Sequence, residues 1–184
     1  WLANTFKLSA LKDVDPLVEP LKPDQHGLTI LPFISGERSL GWHAEARMTV
    51  SGISQHTSPA EVLRAGMESL AYQINAVYEQ LRATLKIENS VPHLICSGGA
   101  LLGSAMLQSI IADTLGATLY LSHEREASAR GAALLALEAL GVIPDVAQIA
   151  PPLDEPVKPN AERGEVYRNA AARQQKLYQR LLGD

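Results

Sequence analysis

Residues 93–113, HLICSGGALLGSAMLQSIIAD, limit most sharply what this chain can fold into. An apolar run of Leu94, Ile95 and Cys96 enters Ser97-Gly98-Gly99-Ala100 and then a helical pattern. That order spells a strand, a tight turn and a helix, the unit of a layered α/β fold. Two glycines at the turn remove the side chains that would keep a ligand off the main chain. The helix behind them points unpaired N–H groups, and the positive end of its dipole, back at the turn. A nucleotide's phosphate end is held this way without a lysine. A glycine pair at a strand end also serves as a plain packing turn, and the turn by itself leaves both readings open.

The flanking elements extend the pattern. Residues 7–27 carry Pro16, Pro20 and Pro23 and read as an irregular connection with one helical turn. Residues 27–33 form a short strand that Pro32 confines to an edge or an end. Residues 46–52 alternate as a second strand, with Met48 and Val50 on one face. Ser58-Pro59-Ala60-Glu61 starts a helix with an N-cap serine, a first-turn proline and a capping-box glutamate. Leu63, Met67, Leu70, Ile74, Val77, Leu81 and Leu85 then step by three or four, a stripe read as a core face in preference to a partner-binding one. A helix over 100–115 is expected to stop at Gly116. A strand over 118–121 and an alanine-rich helix over 127–140, ending at Gly141, follow. Ala129, Ala132, Ala133 and Ala136 give that helix a small face for close packing. Gly131 within it costs about 1 kcal/mol against alanine, which points to a close backbone approach, with the Gly98-Gly99 turn as its candidate neighbour. Residues 143–160 hold Pro144, Pro151, Pro152, Pro156 and Pro159 and read as a proline-rich linker. The terminal helix, 162–182, is expected to dock through Val166, Ala170, Leu177 and Leu181. The division is thus a partial α/β domain over 1–142, a linker over 143–160 and a docked C-terminal helix within 161–184, with at least part of the sheet parallel.

Composition removes several classes. At 184 residues, 46% of them apolar, the chain can bury a real core. A net charge of −4 without a basic block argues against nucleic acid. No apolar run nears the roughly 18 residues that span a bilayer, and no signal peptide is visible, so no membrane role is expected and the cytoplasm is the expected compartment. The single cysteine, Cys96, allows no internal disulfide and reads as a small hydrophobe of the strand in preference to a nucleophile. His26, His43, His56, His93 and His123 show no metal-ligand spacing, so no metal site is assigned. G-x-S-x-G and the P-loop lysine motif are absent.

Three charged groups remain as candidates. Gly36-Glu37-Arg38 sits in a loop between the short strands, as part of a cleft or as an exposed ion pair worth under about 1 kcal/mol. Asp113 is either a buried acceptor that ties its helix to its surroundings or a surface aspartate. Glu124-Arg125-Glu126 either caps the helix behind it or forms a charged loop face.

The segments HGLTILPFISGERSLGWHAEAR, SPAEVLRAGMESLAYQ, ICSGGALLGSAMLQSIIADTLG and EASARGAALLALEALG, in this order from His26 to Gly141, resemble the C-terminal domain of the FGGY carbohydrate kinases. The resemblance is greatest to the gluconate kinase group, with xylulose and glycerol kinases further off. It implies an actin-like (ribonuclease H-like) ATPase domain, the C-terminal half of a two-domain sugar kinase. Such kinases bind ATP and Mg in the cleft between domains and pass the γ-phosphate to a sugar hydroxyl. Carried over, Gly98, Gly99 and Ala100 contact adenosine and the adjoining phosphate, Gly103 or Ser104 meets the base or ribose, Gly131 packs behind the turn, and Glu37 and Arg38 lie near the cleft. The family places a glutamine four residues before the helix aspartate; here Ser109 stands there and Gln108 is one earlier. The chain opens on Trp1, without an initiator methionine, and reads as a fragment. The catalytic base, the main Mg and phosphate contacts and nearly all sugar contacts are expected in a missing N-terminal domain. No catalytic residue is therefore assigned here, and the chain alone is expected to be inactive and to bind ATP weakly at most. Gluconate is the expected substrate, with other sugars or sugar acids open. Two other readings stand beside the kinase: a non-catalytic actin-like module that binds nucleotide or a partner, and a homodimerisation domain built on the long or the terminal helix.

Overall fold

Signals carried by a few adjacent residues become structure where they were read. The computed structural model describes residue 5 and residues 13–86, 94–124 and 126–183. Residues 7–12 of the irregular connection, His93 and Arg125 lie outside the described residues. The helical turn upstream is α1, Asp15–Val18. Strand β1, Thr29–Leu31, pairs antiparallel with β2, Thr49–Ser51, so that Met48 and Val50 pack with Leu28, Ile30 and Ala65.

Helix α2, Pro59–Leu85, begins with a complete capping box. The Ser58 hydroxyl accepts from the Glu61 N–H at 3.3 Å, and the Glu61 carboxylate accepts from the Ser58 N–H at 2.7 Å. Two orphan donors of the first turn are satisfied at once. Strand β3, Leu94–Cys96, runs parallel to β4, Leu119–Leu121, and the Ser122 N–H reaches the Cys96 carbonyl at 2.8 Å. Between them lie the short helix α3, Gly99–Leu102, and α4, Ala105–Leu115. Helix α5 spans Ala127–Ala139 and α6 spans Ala161–Leu182. The main core gathers Ala71 and Tyr72 of α2, Ile110, Ile111 and Ala112 of α4, Leu119 of β4, and Tyr167 and Ala170 of α6.

Several expectations are corrected. The single helix over 100–115 is two helices, broken where Gly103 caps α3 and Ser104 caps α4. Gly116 does close α4, in the left-handed conformation that favours glycine there (φ 60°). The apolar stripe of α2 is not one buried face. Leu63 is inside, whereas Leu70, Ile74, Leu81 and Leu85 are exposed. The buried residues of α2 all fall between positions 63 and 72, where β1, α1, α4 and α6 surround it, and they include Arg64 and Glu68. Helix α5 buries no residue at all. Its alanines at 129, 132, 133 and 136 face outward, and a Cβ on Gly131 would meet nothing within 4 Å among the described residues, so the expected close approach to the Gly98-Gly99 turn is absent.

Residues 143–160 are more than a spacer. Leu119 and Val157 exchange backbone hydrogen bonds at 2.9 Å, and the Asp154 N–H donates to the Leu121 carbonyl at 2.8 Å. The segment thereby covers one edge of β4 and carries the chain back to α6. Helix α6 docks through Gly164, Tyr167, Ala170 and Gln174, while Val166 and Leu181 are exposed. The start of this face needs a glycine because it approaches main chain: a Cβ on Gly164 would sit 2.7 Å from the Asp113 carbonyl oxygen.

Candidate nucleotide site

The corner after β3 owes its shape to two glycines with different duties. Gly98 has φ 100° and ψ 141°, a conformation that L side chains rarely adopt. Its carbonyl accepts from the Leu102 N–H at 3.0 Å, and the Gly99 carbonyl accepts from the Gly103 N–H at 3.0 Å. Among the described residues, a Cβ at Gly98 or Gly99 would meet nothing within 4 Å. The glycines therefore leave open space above the main chain and do not serve internal packing. At Gly103 the reason differs, since a Cβ there would lie 2.9 Å from the Gly99 carbonyl oxygen.

Gly99 and Gly103 line a cavity of about 500 Å³ together with Leu102, His123 and Glu126. That size suits a small organic ligand, for which sites of roughly 300–1,000 Å³ are usual. Ala100 and Ser104 do not share this cavity. They border an apolar one of about 290 Å³, lined also by Ile30, Pro32, Leu63 and Leu107. The Ser104 hydroxyl is buried and committed: it donates to Asp15 Oδ1 at 2.5 Å and accepts from the Leu107 N–H at 3.1 Å. Asp15 Oδ2 also accepts from the Met106 N–H at 3.1 Å. Helix α1 thus supplies a second cap to α4 and fixes the angle at which it leaves Gly103. The Gln108 side chain ties the two helices by donating to the Leu101 carbonyl at 3.0 Å.

Glu126 apart, the remaining described sequence candidates lie outside the Gly99 cavity. Glu37 is 2% exposed and serves its own loop, accepting from the Ser39 N–H, the Ser39 hydroxyl, and the Gly41 and His43 N–H groups. Burial works to raise its pKa, but the hydrogen bonds from His43, Ser39 and Gly41 prevail and hold the pKa below its ordinary value. Arg38 is exposed and makes no ion pair with Glu37. Asp113 is the buried acceptor: it takes the Asn160 N–H at 2.6 Å and the Arg163 Nε at 2.5 Å, and so fastens the end of α4 to the start of α6. Gly131 lines no described cavity. Cys96 is half-buried, and burial pushes its thiol up, away from the thiolate a nucleophile needs. Glu124 lies 3.6 Å from Arg130, while the Glu126 carboxylate, though at the N-cap position of α5, caps nothing.

Sequence reasoning missed a buried polar knot. Arg64 Nε donates to Glu68 Oε1 at 2.7 Å, and its other nitrogens reach the Tyr167 hydroxyl at 2.7 Å and the Val18 carbonyl at 3.2 Å. Tyr72 donates to Glu68 Oε2 at 3.2 Å. His26 Nδ1 accepts from the Leu28 N–H at 2.9 Å, which places the ring proton on Nε2, 3.0 Å from Glu68 Oε2. Burial, with the charge on Glu68 adding, pushes the Tyr72 and Tyr167 phenols well above their usual range. Asp24, His26 and Glu68 bring ligand-type atoms within 4.8 Å of one another, a grouping that sequence spacing hid. Two guanidinium groups already face those carboxylates: Arg64 holds Glu68, and Arg173 holds Asp24 at 2.5 Å. The charge a cation would neutralise is thus met by arginine. The available signal was the i, i+4 pair Arg64–Glu68 flanked by Ala65, Gly66, Ser69 and Ala71, since small neighbours let other backbone close over a charge.

Against known proteins, residues 4–140 match the model of the C-terminal domain of the FGGY family of carbohydrate kinases. The chain belongs to that family. The glycerol kinase of Variovorax paradoxus is 31% identical over 153 residues, 82% of this chain and 30% of that protein. The xylulose kinase structure from Lactobacillus acidophilus superposes with a TM-score of 0.81 at 20% identity, covering 96% of this chain and 37% of that one. The gluconate kinase structure from the same organism gives 0.79 at 22% identity, covering 92% and 34%. The fold of this FGGY domain is the actin-like ATPase fold. The chain spans about a third of the length of the relatives it matches, and their likeness is spread over glycerol, xylulose and gluconate kinases without favouring gluconate. No helix among the described residues is long and apolar enough to cross a membrane.

Proposed function

We propose that this FGGY domain forms the nucleotide-side wall of a carbohydrate kinase, which uses ATP and a divalent metal to phosphorylate a hydroxyl of a small sugar or sugar acid. One observation carries the reading: the Gly98–Gly99 corner stands open, with main chain exposed beside a cavity of about 500 Å³. A nucleoside lies there directly on backbone, Leu102 offers apolar surface to it, and Gly99 and Gly103 are the contacts this chain supplies. Ala100 adjoins the corner but faces the apolar cavity, and Ser104 acts through capping α4. The metal, the general base and the sugar contacts are assigned to the family's N-terminal domain. Phosphoryl transfer needs charge stabilisation and positioning from both walls of a cleft, so the chain alone is a binding half.

The likeness of the four sequence segments makes gluconate the first substrate to try. The parent protein is assayed with ATP and gluconate, xylulose, glycerol and ribulose, with ADP release as readout. Turnover with one of them is expected. No turnover with any, alongside retained nucleotide binding, would favour a non-catalytic actin-like module.

A further inference from the structure

The cavity beside Gly99 has one wall that the glycine turn does not explain. Glu126 lines it, and among the described residues its carboxylate has no hydrogen-bond or ion-pair partner. The neighbouring acid, Glu124, is spoken for by Arg130. His123 lines the same wall, and its Nε2 is engaged by Asp154, which the docked 143–160 segment brings alongside β4. The wall is therefore an acceptor surface: a free carboxylate and a histidine whose donor nitrogen is taken.

A carboxylate repels phosphate oxygens and accepts strongly from hydroxyl groups. A nucleotide in this cavity must then lie with its phosphates away from Glu126 and a donor-bearing part against it. The vicinal hydroxyls of ribose are such donors. We infer that Glu126 binds the ribose hydroxyls of the nucleotide and makes the site selective for ribonucleosides over their deoxy counterparts. The inference rests on the nucleotide reading of the Gly98–Gly99 corner and adds a specificity residue to it from a different element, the lead-in to α5.

Adenosine is the suitable probe, because it lacks the phosphates whose main contacts are assigned elsewhere. The ¹⁵N-labelled chain is titrated to millimolar adenosine, 2′-deoxyadenosine and 3′-deoxyadenosine, following the amide signals of Gly99 and Gly103. Adenosine is expected to bind on the order of tenfold more tightly than at least one deoxy form, as for one lost hydrogen bond to a charged group. Glu126→Ala should lower adenosine affinity to the level of the deoxy form and abolish the discrimination. Glu126→Gln, which keeps the shape, should retain part of it, and signal dispersion of both variants reports that they fold. Equal binding of all three nucleosides by the unmodified chain, or undiminished discrimination in Glu126→Ala, overturns the ribose assignment and leaves the nucleotide site standing. Absence of any shift with adenosine, in this chain and in the parent protein alike, overturns both.

Discussion

The Arg64–Glu68 knot and the Gly98–Gly99 corner are opposite solutions to the placement of polar groups. In the knot, Arg64 and Glu68 are 3% and 0% exposed, and Val18, His26, Tyr72 and Tyr167 complete their hydrogen bonds. At the corner, side chains are deleted and open space lies over the main chain. A closed polar cluster holds elements together and offers nothing to a ligand. An open one leaves its groups to be satisfied from outside. The contrast separates stability from binding within one small domain, and substitutions should divide along it.

The largest expected effect is at the knot. Glu68→Ala leaves the Arg64 guanidinium buried without its counter-charge and should cost about 3–5 kcal/mol in chemical denaturation. The double variant Arg64→Met with Glu68→Leu should lose far less than the two single changes together; strict additivity would show that the pair does not act as a unit. Next, Asp113→Ala removes the acceptor shared by the Asn160 N–H and Arg163 and should cost about 2–3 kcal/mol, read as a lowered urea midpoint. At the corner, Gly98→Ala should cost about 1–3 kcal/mol, because φ 100° is strained for any L side chain. Gly99→Ala should stay within about 0.5 kcal/mol of the parent, since its Cβ meets nothing, yet weaken adenosine binding. A large stability loss there would mean that the corner is a packing element.

Glu37 adds a pH signature to the closed side. Its folded pKa lies below the ordinary value of 4.5, so its contribution to stability is complete above that pH. The contribution fades as pH falls through the lowered folded value. Glu37→Gln should therefore flatten the dependence of the urea midpoint on pH below about 5, with little change near neutrality. An unchanged acid slope would show that the Ser39, Gly41 and His43 hydrogen bonds do not favour the charged form.

How much of this was legible in the chain follows from distance along it. The Ser58–Glu61 capping box, the Gly116 stop and the glycine corner each rest on a few neighbouring residues, and all appear where the sequence places them. Burial is different. Helix α5, rich in alanine and leucine, buries nothing, whereas α6, far more polar, buries Tyr167 and Gln174. Hydropathy reports what a helix prefers, and only a neighbour can satisfy the preference. The same limit hid the tie between Ser104 and Asp15, which joins residues 89 positions apart.

Sequence by itself determined the order of the strands and longer helices, the start of α2, the stop of α4 and the side-chain-free turn, because backbone conformation and capping are local energies set by adjacent residues. The tertiary structure decided that Arg64 and Glu68 lie inside, that residues 153–157 edge the sheet, and that Glu126 faces the cavity beside Gly99. Desolvation and hydrogen-bond partners come from distant parts of the chain, and no local pattern encodes which of them will meet.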